Sequence, residues 1–151
     1  MAMPASASGR STPAAASICA RVDDAEFLWH CGREQSGLLL ALVAVAARAR
    51  LENPSGHGDR LVFETYLRQQ HDWTISVEYR GQQWDTDHLF YTWMRCELVH
   101  VAGLPMDLVI DDGLTEPGGL AIRAGGAPEH VLRLSPGWFT FFCHAATDGL
   151  S

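Results

Sequence analysis

The apolar positions along this chain recur mostly at helical spacing. The longest such segment predicts a helix over residues 25–51, whose second half (residues 37–50, GLLLALVAVAARAR) is apolar almost all round, as in a helix at the centre of a bundle. This helix should end before Pro54, because the residue that precedes a proline avoids the helical region. Gly32 and Gly37 lie inside the segment and indicate a bend or a close helix crossing.

Shorter patterns predict the remaining elements. Three further helices are expected over residues 60–70, over residues 89–102 and after Pro136. Alternating apolar and polar residues predict short strands at residues 73–79, 107–110, 119–123 and 130–134. Because the strands flank the third helix and do not alternate with helices, the pattern predicts an α+β fold, predominantly helical, with about four helices and a small antiparallel sheet.

The N-terminal segment has a different composition from the rest of the chain. Residues 1–22 are rich in Ala, Ser and Pro and show no apolar period, which predicts a disordered N-terminal leader. Residues 23–151 are expected to form a single domain, since 151 residues with 47% hydrophobic content allow one buried core. The longest apolar run, over residues 37–47, is too short for a membrane span, which needs about 20 residues.

Charge and cysteine content limit the function classes. All 11 basic residues are arginine, 18 residues are acidic, and the net charge is −7. This balance disfavours binding to duplex DNA, which normally needs a basic stripe, and it suits a basic protein partner. No secretory signal is recognisable, and four scattered cysteines do not form a disulfide framework, so a cytoplasmic location is expected.

The third predicted helix carries the residues best suited to chemistry. Within residues 90–105 (FYTWMRCELVHVAGLP), Arg95 and His100 are separated by four residues ahead of a Gly/Pro stop. This arrangement resembles the Arg-x4–6-His motif of the HEPN superfamily, small helical bundles of prokaryotic toxin and antiviral systems. The chain is also similar to bacterial uncharacterised proteins that carry an Arg-Cys-x-x-x-His helix, then a β-hairpin and a Trp-containing helix. In architecture the resemblance covers residues 24–147.

The resemblance implies a HEPN-like bundle with a metal-independent endoribonuclease site, without a cofactor and usually composite across a homodimer. His100 would move the proton of the ribose 2′-hydroxyl or of the leaving 5′-oxygen. Arg95 would bind the scissile phosphate and stabilise its additional charge. Five residues on a helix place Arg95 and His100 about 140° apart, so they meet only through the reach of the arginine or across a dimer.

The same helix also allows a structural interpretation. His100 falls on the side of Trp93 and Cys96, where a core histidine would donate to a backbone carbonyl, and Arg95 would pair with an acid on another helix. The chain would then be a non-catalytic acidic protein-binding module, similar to an antitoxin or immunity protein. Such a module needs an acidic or aromatic exposed face, whereas a ribonuclease needs Arg95 and His100 exposed in one cleft.

Cysteine and histidine residues suggest two weaker alternatives. Cys96 and His100 share a helical face, and with His30 and Cys31 they would provide four ligands for tetrahedral zinc. No Cys-x2-Cys or His-x3-His pair supports this site, so we expect no bound metal. Cys96 or Cys143 beside a histidine would also form a thiolate nucleophile, although nothing in the sequence indicates an oxyanion hole.

Overall fold

The chain forms five helices and five short strands in the computed structural model, which describes residues 12–55, 57–126 and 128–150. The helices are α1 (Pro13–His30), α2 (Glu34–Glu52), α3 (Asp59–Arg68), α4 (the consecutive segments Thr86–Leu89, Phe90–Arg95 and Cys96–His100) and α5 (Gly137–Thr147). The strands are β1 (Ser76–Tyr79), β2 (Gln82–Asp85), β3 (Leu108–Ile110), β4 (Ile122–Ala124) and β5 (Leu132–Leu134). The predicted α+β, predominantly helical class is therefore confirmed. Among the described residues, no helix has the length and apolar character that a membrane crossing requires.

The first helix begins earlier in the chain than the composition of the N-terminal segment predicts. Residues 13–22, assigned to the disordered leader, form the first half of α1, while residues 1–11 lie outside the described residues. The Thr12 hydroxyl caps this helix by accepting a hydrogen bond from the Ala15 N–H at 3.2 Å. The residues that α1 buries recur every three or four positions: Ala15, Ile18, Val22 and Ala25. The leader prediction is wrong for this part, because its apolar side chains form one face of a helix that packs against α2.

The predicted helix over residues 25–51 is two helices joined by a tight turn. Gly32 adopts a φ of +78°, a left-handed conformation that glycine reaches without strain, and it ends α1. The N–H groups of Gly32 and Arg33 bond to carbonyl oxygens of the last α1 turn at 3.0 and 2.9 Å. These two bonds form a Schellman motif, so the chain reverses here and α2 packs back along α1.

Gly37 allows α1 and α2 to approach closely. A Cβ atom at Gly37 would lie 2.8 Å from the carbonyl oxygen of Ala25 and 3.1 Å from the backbone nitrogen of Trp29. The close helix crossing that the sequence indicates is therefore present at this glycine. α2 contacts α1, α3 and α5, and its buried residues lie at the centre of the core: Gly37, Leu38, Ala41, Leu42, Ala44, Val45 and Ala49.

The strands form two separate sheets: residues 76–79, whose membership of the small sheet the sequence leaves open, lie outside it, and that sheet is mixed and not antiparallel as predicted. β1 and β2 are an antiparallel hairpin whose turn residues, Arg80 and Gly81, both have positive φ. In the other sheet the order is β3-β5-β4, with β3 parallel and β4 antiparallel to β5. The β-hairpin that the resemblance implies after the third helix is not formed by β3 and β4, because β5 lies between them and buries Leu132 and Leu134.

Candidate functional site

Arg95 lies at the end of an unusual turn in α4. The central segment of this helix, Phe90–Arg95, is a π-helix, and the N–H of Cys96 bonds to the carbonyl of Tyr91, five residues earlier. π-helical turns are rare and occur frequently at functional sites. The sequence gives no sign of this turn, because it depends on how α4 packs against the other helices.

The Arg95 guanidinium has no acidic partner among the described residues. Its central carbon lies 5.3 Å from the ring centroid of Tyr91, and its Nε is buried without a hydrogen-bond partner. The expected ion pair between Arg95 and an acid on another helix is therefore absent from the described part of the chain. Because Arg95 is only half-buried, its charge keeps some contact with solvent and is open to a ligand.

Arg95 lines a cavity of about 200 Å³ between α2, α3 and α4. The lining residues are Ala46, Arg50, Asp59, Val62, Tyr91 and Arg95. Arg50 donates to Asp59 at 2.6 Å and to backbone carbonyls of the α2–α3 loop, which fixes its guanidinium. Two arginines thus face one carboxylate, so the cavity has an excess positive charge within an acidic protein.

Tyr91 completes this cavity, which we call the Arg95 pocket. Burial raises the pKa of the Tyr91 hydroxyl above its ordinary value of 10.0, and the neighbouring Cys96 adds to the rise, while the positive charge of Arg95 acts in the opposite direction. The hydroxyl therefore stays protonated at neutral pH, and it is already engaged by a side-chain hydrogen bond with Cys96. The guanidinium groups of Arg95 and Arg50 are the donors of this pocket that suit an anion such as a phosphate.

His100 is exposed at the C-terminal end of α4 and is not part of the Arg95 pocket lining. The interpretation of His100 as a core histidine is wrong, because α4 ends here and the ring lies at the surface. Val99, Val101 and Met106 are also exposed near this end of α4. Within one chain, the structure does not bring Arg95 and His100 together in a single cavity.

The alternatives based on cysteine find little support. Among the residues that the structure describes, no three His, Cys, Asp or Glu side chains are placed to hold a metal ion, so Cys96, His100, His30 and Cys31 do not form the four-ligand zinc site. Burial raises the pKa of the Cys143 thiol to about 12, and nearby Glu26 adds to this effect. Cys143 is therefore protonated at neutral pH and is not a thiolate nucleophile.

Two histidine–carboxylate pairs were missed by the sequence analysis. His71 Nε2 lies 2.9 Å from Asp87 Oδ1, and the two side chains are only 3% and 5% exposed. Arg68 approaches the same carboxylate at 3.5 Å, and His71 Nδ1 has no hydrogen-bond partner in the described structure. The partners are 16 residues apart, so no local spacing in the sequence could have identified the pair.

The second pair joins α3 to α4. His88 Nδ1 lies 2.7 Å from Glu64 Oε1, and His88 Nε2 lies 3.3 Å from the Thr92 hydroxyl. The His88 ring also stacks on Trp84, with centroids 5.0 Å apart. Both ring nitrogens and one ring face are therefore occupied, which favours a structural role for this histidine.

A third polar cluster connects the β1–β2 turn to the segment before β3. Arg80 donates to both carboxylate oxygens of Asp107 at 2.7 and 2.9 Å, and the Tyr79 hydroxyl donates to the same carboxylate at 2.6 Å. These bonds lower the pKa of Asp107 below its ordinary value of 3.8, with the Arg80 hydrogen bond as the largest cause. Every charged group of this cluster has a partner, so it acts as a structural clamp.

Comparison of the chain with protein-family models, with curated proteins and with solved structures finds no match. The candidate site is therefore defined by the geometry of the Arg95 pocket and by the position of His100.

Proposed function

We propose that this chain is a HEPN-like domain that cleaves RNA without a metal ion, in the manner of toxin and defence endoribonucleases. The observation that carries the proposal is the Arg95 guanidinium, which has no carboxylate partner in the described chain and shares a cavity with Arg50. An unpaired arginine in a pocket of excess positive charge is suited to a phosphodiester, which supplies the missing counter-charge.

The chemistry follows from the roles of the two motif residues. His100 accepts the proton of the ribose 2′-hydroxyl, whose oxygen then attacks the phosphorus atom. The bond from phosphorus to the 5′-oxygen breaks, that oxygen takes up a proton from water, a 2′,3′-cyclic phosphate remains, and His100 returns its proton to the solvent. Arg95 and Arg50 stabilise the additional negative charge on the phosphate as the new bond forms. The reaction balances without a metal or cofactor.

The proposal requires a second copy of the chain. His100 lies outside the Arg95 pocket, and exposed Val99 and Val101 beside it provide an apolar surface for a contact between copies. In the proposed homodimer, His100 of one copy completes the pocket formed by Arg95 of the other. Arg95 and His100 of one helix lie about 140° apart, and a site that combines residues of two copies does not require them to be adjacent on the same helix.

The direct test is RNA cleavage by the purified protein in the presence of EDTA. We expect wild type to cleave single-stranded RNA, and Arg95→Ala and His100→Ala to lose at least about 100-fold in rate, because each removes a group that acts in the transition state. Arg21→Ala and His144→Ala are matched controls, since both residues are exposed on helices away from the pocket. Intact RNA with folded wild type, or equal losses in the controls, would contradict the proposal.

Mixing the two inactive variants tests the composite site. If each site combines Arg95 of one copy with His100 of the other, a mixed dimer of Arg95→Ala and His100→Ala contains one intact site. Random exchange of copies should then restore about a quarter of the wild-type activity. A mixture that stays inactive, although the copies have exchanged, would contradict the proposed dimer.

A second candidate function, an acidic protein-binding module, is favoured by the exposed face of α1. Phe27 is 69% exposed, and Asp23 and Glu26 beside it are also exposed. An aromatic side chain among carboxylates suits a basic partner. If this function is correct, the product of an adjacent gene should bind the chain, and Phe27→Ser should weaken the complex at least about tenfold while the control Leu61→Ser does not. Equal affinities for both variants would exclude the α1 face.

A further inference from the structure

Asp59 has no role in the proposed cleavage, although it is the one acidic residue among the described residues that line the Arg95 pocket. Its carboxylate repels the phosphate that the two arginines attract, so its presence in an anion pocket needs an explanation. Asp59 is the first residue of α3, where the helix dipole favours a negative charge. This position accounts for the stability of the carboxylate beside the pocket but not for a function in it.

One oxygen of the Asp59 carboxylate is available to a ligand. Arg50 donates to Oδ1 at 2.6 Å, whereas Oδ2 accepts no hydrogen bond from any described residue. The Asp59 side chain is 70% exposed, so a ligand can reach Oδ2 directly. Arg50 also donates to the carbonyls of Ser55 and His57 at 3.2 and 3.3 Å, so its position does not depend on Asp59 alone. Oδ2 is therefore an accessible hydrogen-bond acceptor at the wall of the pocket.

The chemistry of this oxygen defines the group that it binds. An ionised carboxylate only accepts hydrogen bonds, so its ligand must present an O–H or N–H donor beside the bound phosphate. In a single strand of RNA the sugar next to the phosphate carries such a donor, the 2′-hydroxyl, whereas the donors of the bases lie beyond the sugar. A cavity of about 150 Å³ accommodates benzene, so about 200 Å³ has room for a phosphate and one neighbouring hydroxyl.

We propose that Asp59 accepts a hydrogen bond from a ribose 2′-hydroxyl and thereby makes the Arg95 pocket selective for RNA over DNA. This inference rests on the proposed function, because it requires Arg95 to bind an RNA phosphate. In that reaction His100 takes the proton of the attacking 2′-hydroxyl, so Asp59 contacts the 2′-hydroxyl of the nucleotide on the 5′-oxygen side. The hydrogen bond offsets the repulsion between carboxylate and phosphate for RNA, and DNA lacks the donor.

Two ligands that differ only at the 2′-position test this role. A fluorescent single-stranded RNA and its 2′-fluoro analogue have the same sequence and a similar sugar conformation, but only the RNA carries the donor. Both are titrated with the full-length His100→Ala protein, which lacks the base for cleavage, and the anisotropy is measured. We expect this parent protein to bind RNA at least about fivefold more tightly than the analogue, and Asp59→Ala in the same background to reduce the ratio to nearly one.

Glu52 provides a matched control for Asp59. Its carboxylate is also exposed and also accepts a hydrogen bond from an arginine, Arg48, at 2.8 Å, but it does not line the pocket. Glu52→Ala should therefore keep the preference for RNA. If Asp59 acts only by holding Arg50, its removal changes the affinities of both ligands by the same factor. A ratio that Asp59→Ala leaves unchanged, or a parent protein without a preference for RNA, would overturn the proposal.

A further variant separates this proposal from the function on which it rests. Arg95→Ala in the same background should weaken both ligands at least about tenfold, because both carry the phosphate. If it does so while Asp59→Ala leaves the ratio unchanged, only the role of Asp59 is overturned. If Arg95→Ala binds both ligands as tightly as its parent, the phosphate site is wrong, and the proposed function and the role of Asp59 are overturned together.

Discussion

Two arginines of this molecule lie against aromatic rings, and their surroundings differ in one respect. Arg80 lies over the Trp93 ring at 4.6 Å, and Asp107 accepts two hydrogen bonds from its guanidinium. Arg95 lies over Tyr91 at 5.3 Å, but no described carboxylate pairs with it and its Nε has no partner. The stacking is similar in the two regions, whereas the counter-charge is present in only one.

This difference separates a structural arginine from a candidate ligand-binding one. The Arg80 cluster is complete, because the guanidinium, the Asp107 carboxylate and the Tyr79 hydroxyl satisfy one another. In the Arg95 pocket, Asp59 is already bonded to Arg50, so the positive charge of Arg95 is not compensated. We therefore expect substitutions in the Arg80 cluster to change stability and substitutions of Arg95 to change ligand binding.

The largest expected effect is on stability in the Arg80 cluster. Asp107→Ala leaves the Arg80 guanidinium and the Tyr79 hydroxyl without their acceptor and should lower the free energy of unfolding by about 2 kcal/mol. Arg95→Ala loses only a cation–π contact and should lower it by less than about 1 kcal/mol. Urea unfolding of both variants measures the difference, and a greater loss for Arg95→Ala would contradict the comparison.

Inorganic phosphate should stabilise the folded protein by binding at Arg95 and not at Arg80. An anion that binds only the folded protein stabilises it by about 1.1 kcal/mol when its concentration is about five times the dissociation constant. We expect phosphate at constant ionic strength to raise the melting temperature of wild type and of Arg80→Ala, but not that of Arg95→Ala. An equal increase in all three proteins would indicate that phosphate does not act at the Arg95 pocket.

The smallest expected effect is the pH dependence of the stability that the Arg80 cluster contributes. The pKa of Asp107 is lower in the folded protein than its ordinary value of 3.8, so its contribution to stability is complete above that value and is lost as the pH falls through the folded-state pKa. Asp107→Asn should therefore be less stable than wild type by a constant amount between pH 7 and pH 5. Below about pH 4 the difference should decrease. A constant difference down to pH 2 would contradict this assignment.

The sequence predicts local elements well where one pattern dominates. The terminal helix α5 and the strands β1, β3 and β5 follow directly from apolar spacing, and Gly37 indicates the close helix crossing. Gly32 also indicates a bend, but the full reversal there depends on the backbone hydrogen bonds that end α1. The N-terminal half of α1 was missed because its buried residues, Ala15, Ile18 and Val22, stand among Ala, Ser and Pro residues whose composition resembles that of a low-complexity segment.

The arrangement of the candidate site could not be predicted in the same way. The Arg95 pocket combines residues of α2, α3 and α4, and the π-helical turn that ends at Arg95 depends on tertiary packing. The exposure of His100 follows from the point at which α4 ends. The placement of β5 between β3 and β4 likewise depends on long-range pairing, which local alternation of residues does not encode.

The central claim, that Arg95 binds an RNA phosphate, is tested most directly by binding of an RNA that cannot be cleaved. A fluorescent single-stranded RNA with 2′-O-methyl groups is titrated with wild type, Arg95→Ala and Arg80→Ala, and its anisotropy is measured at a temperature at which all three proteins are folded. We predict that Arg95→Ala binds at least about tenfold more weakly than wild type, whereas Arg80→Ala differs by less than about threefold. Unchanged affinity of Arg95→Ala, or an equal loss in both variants, would contradict the claim.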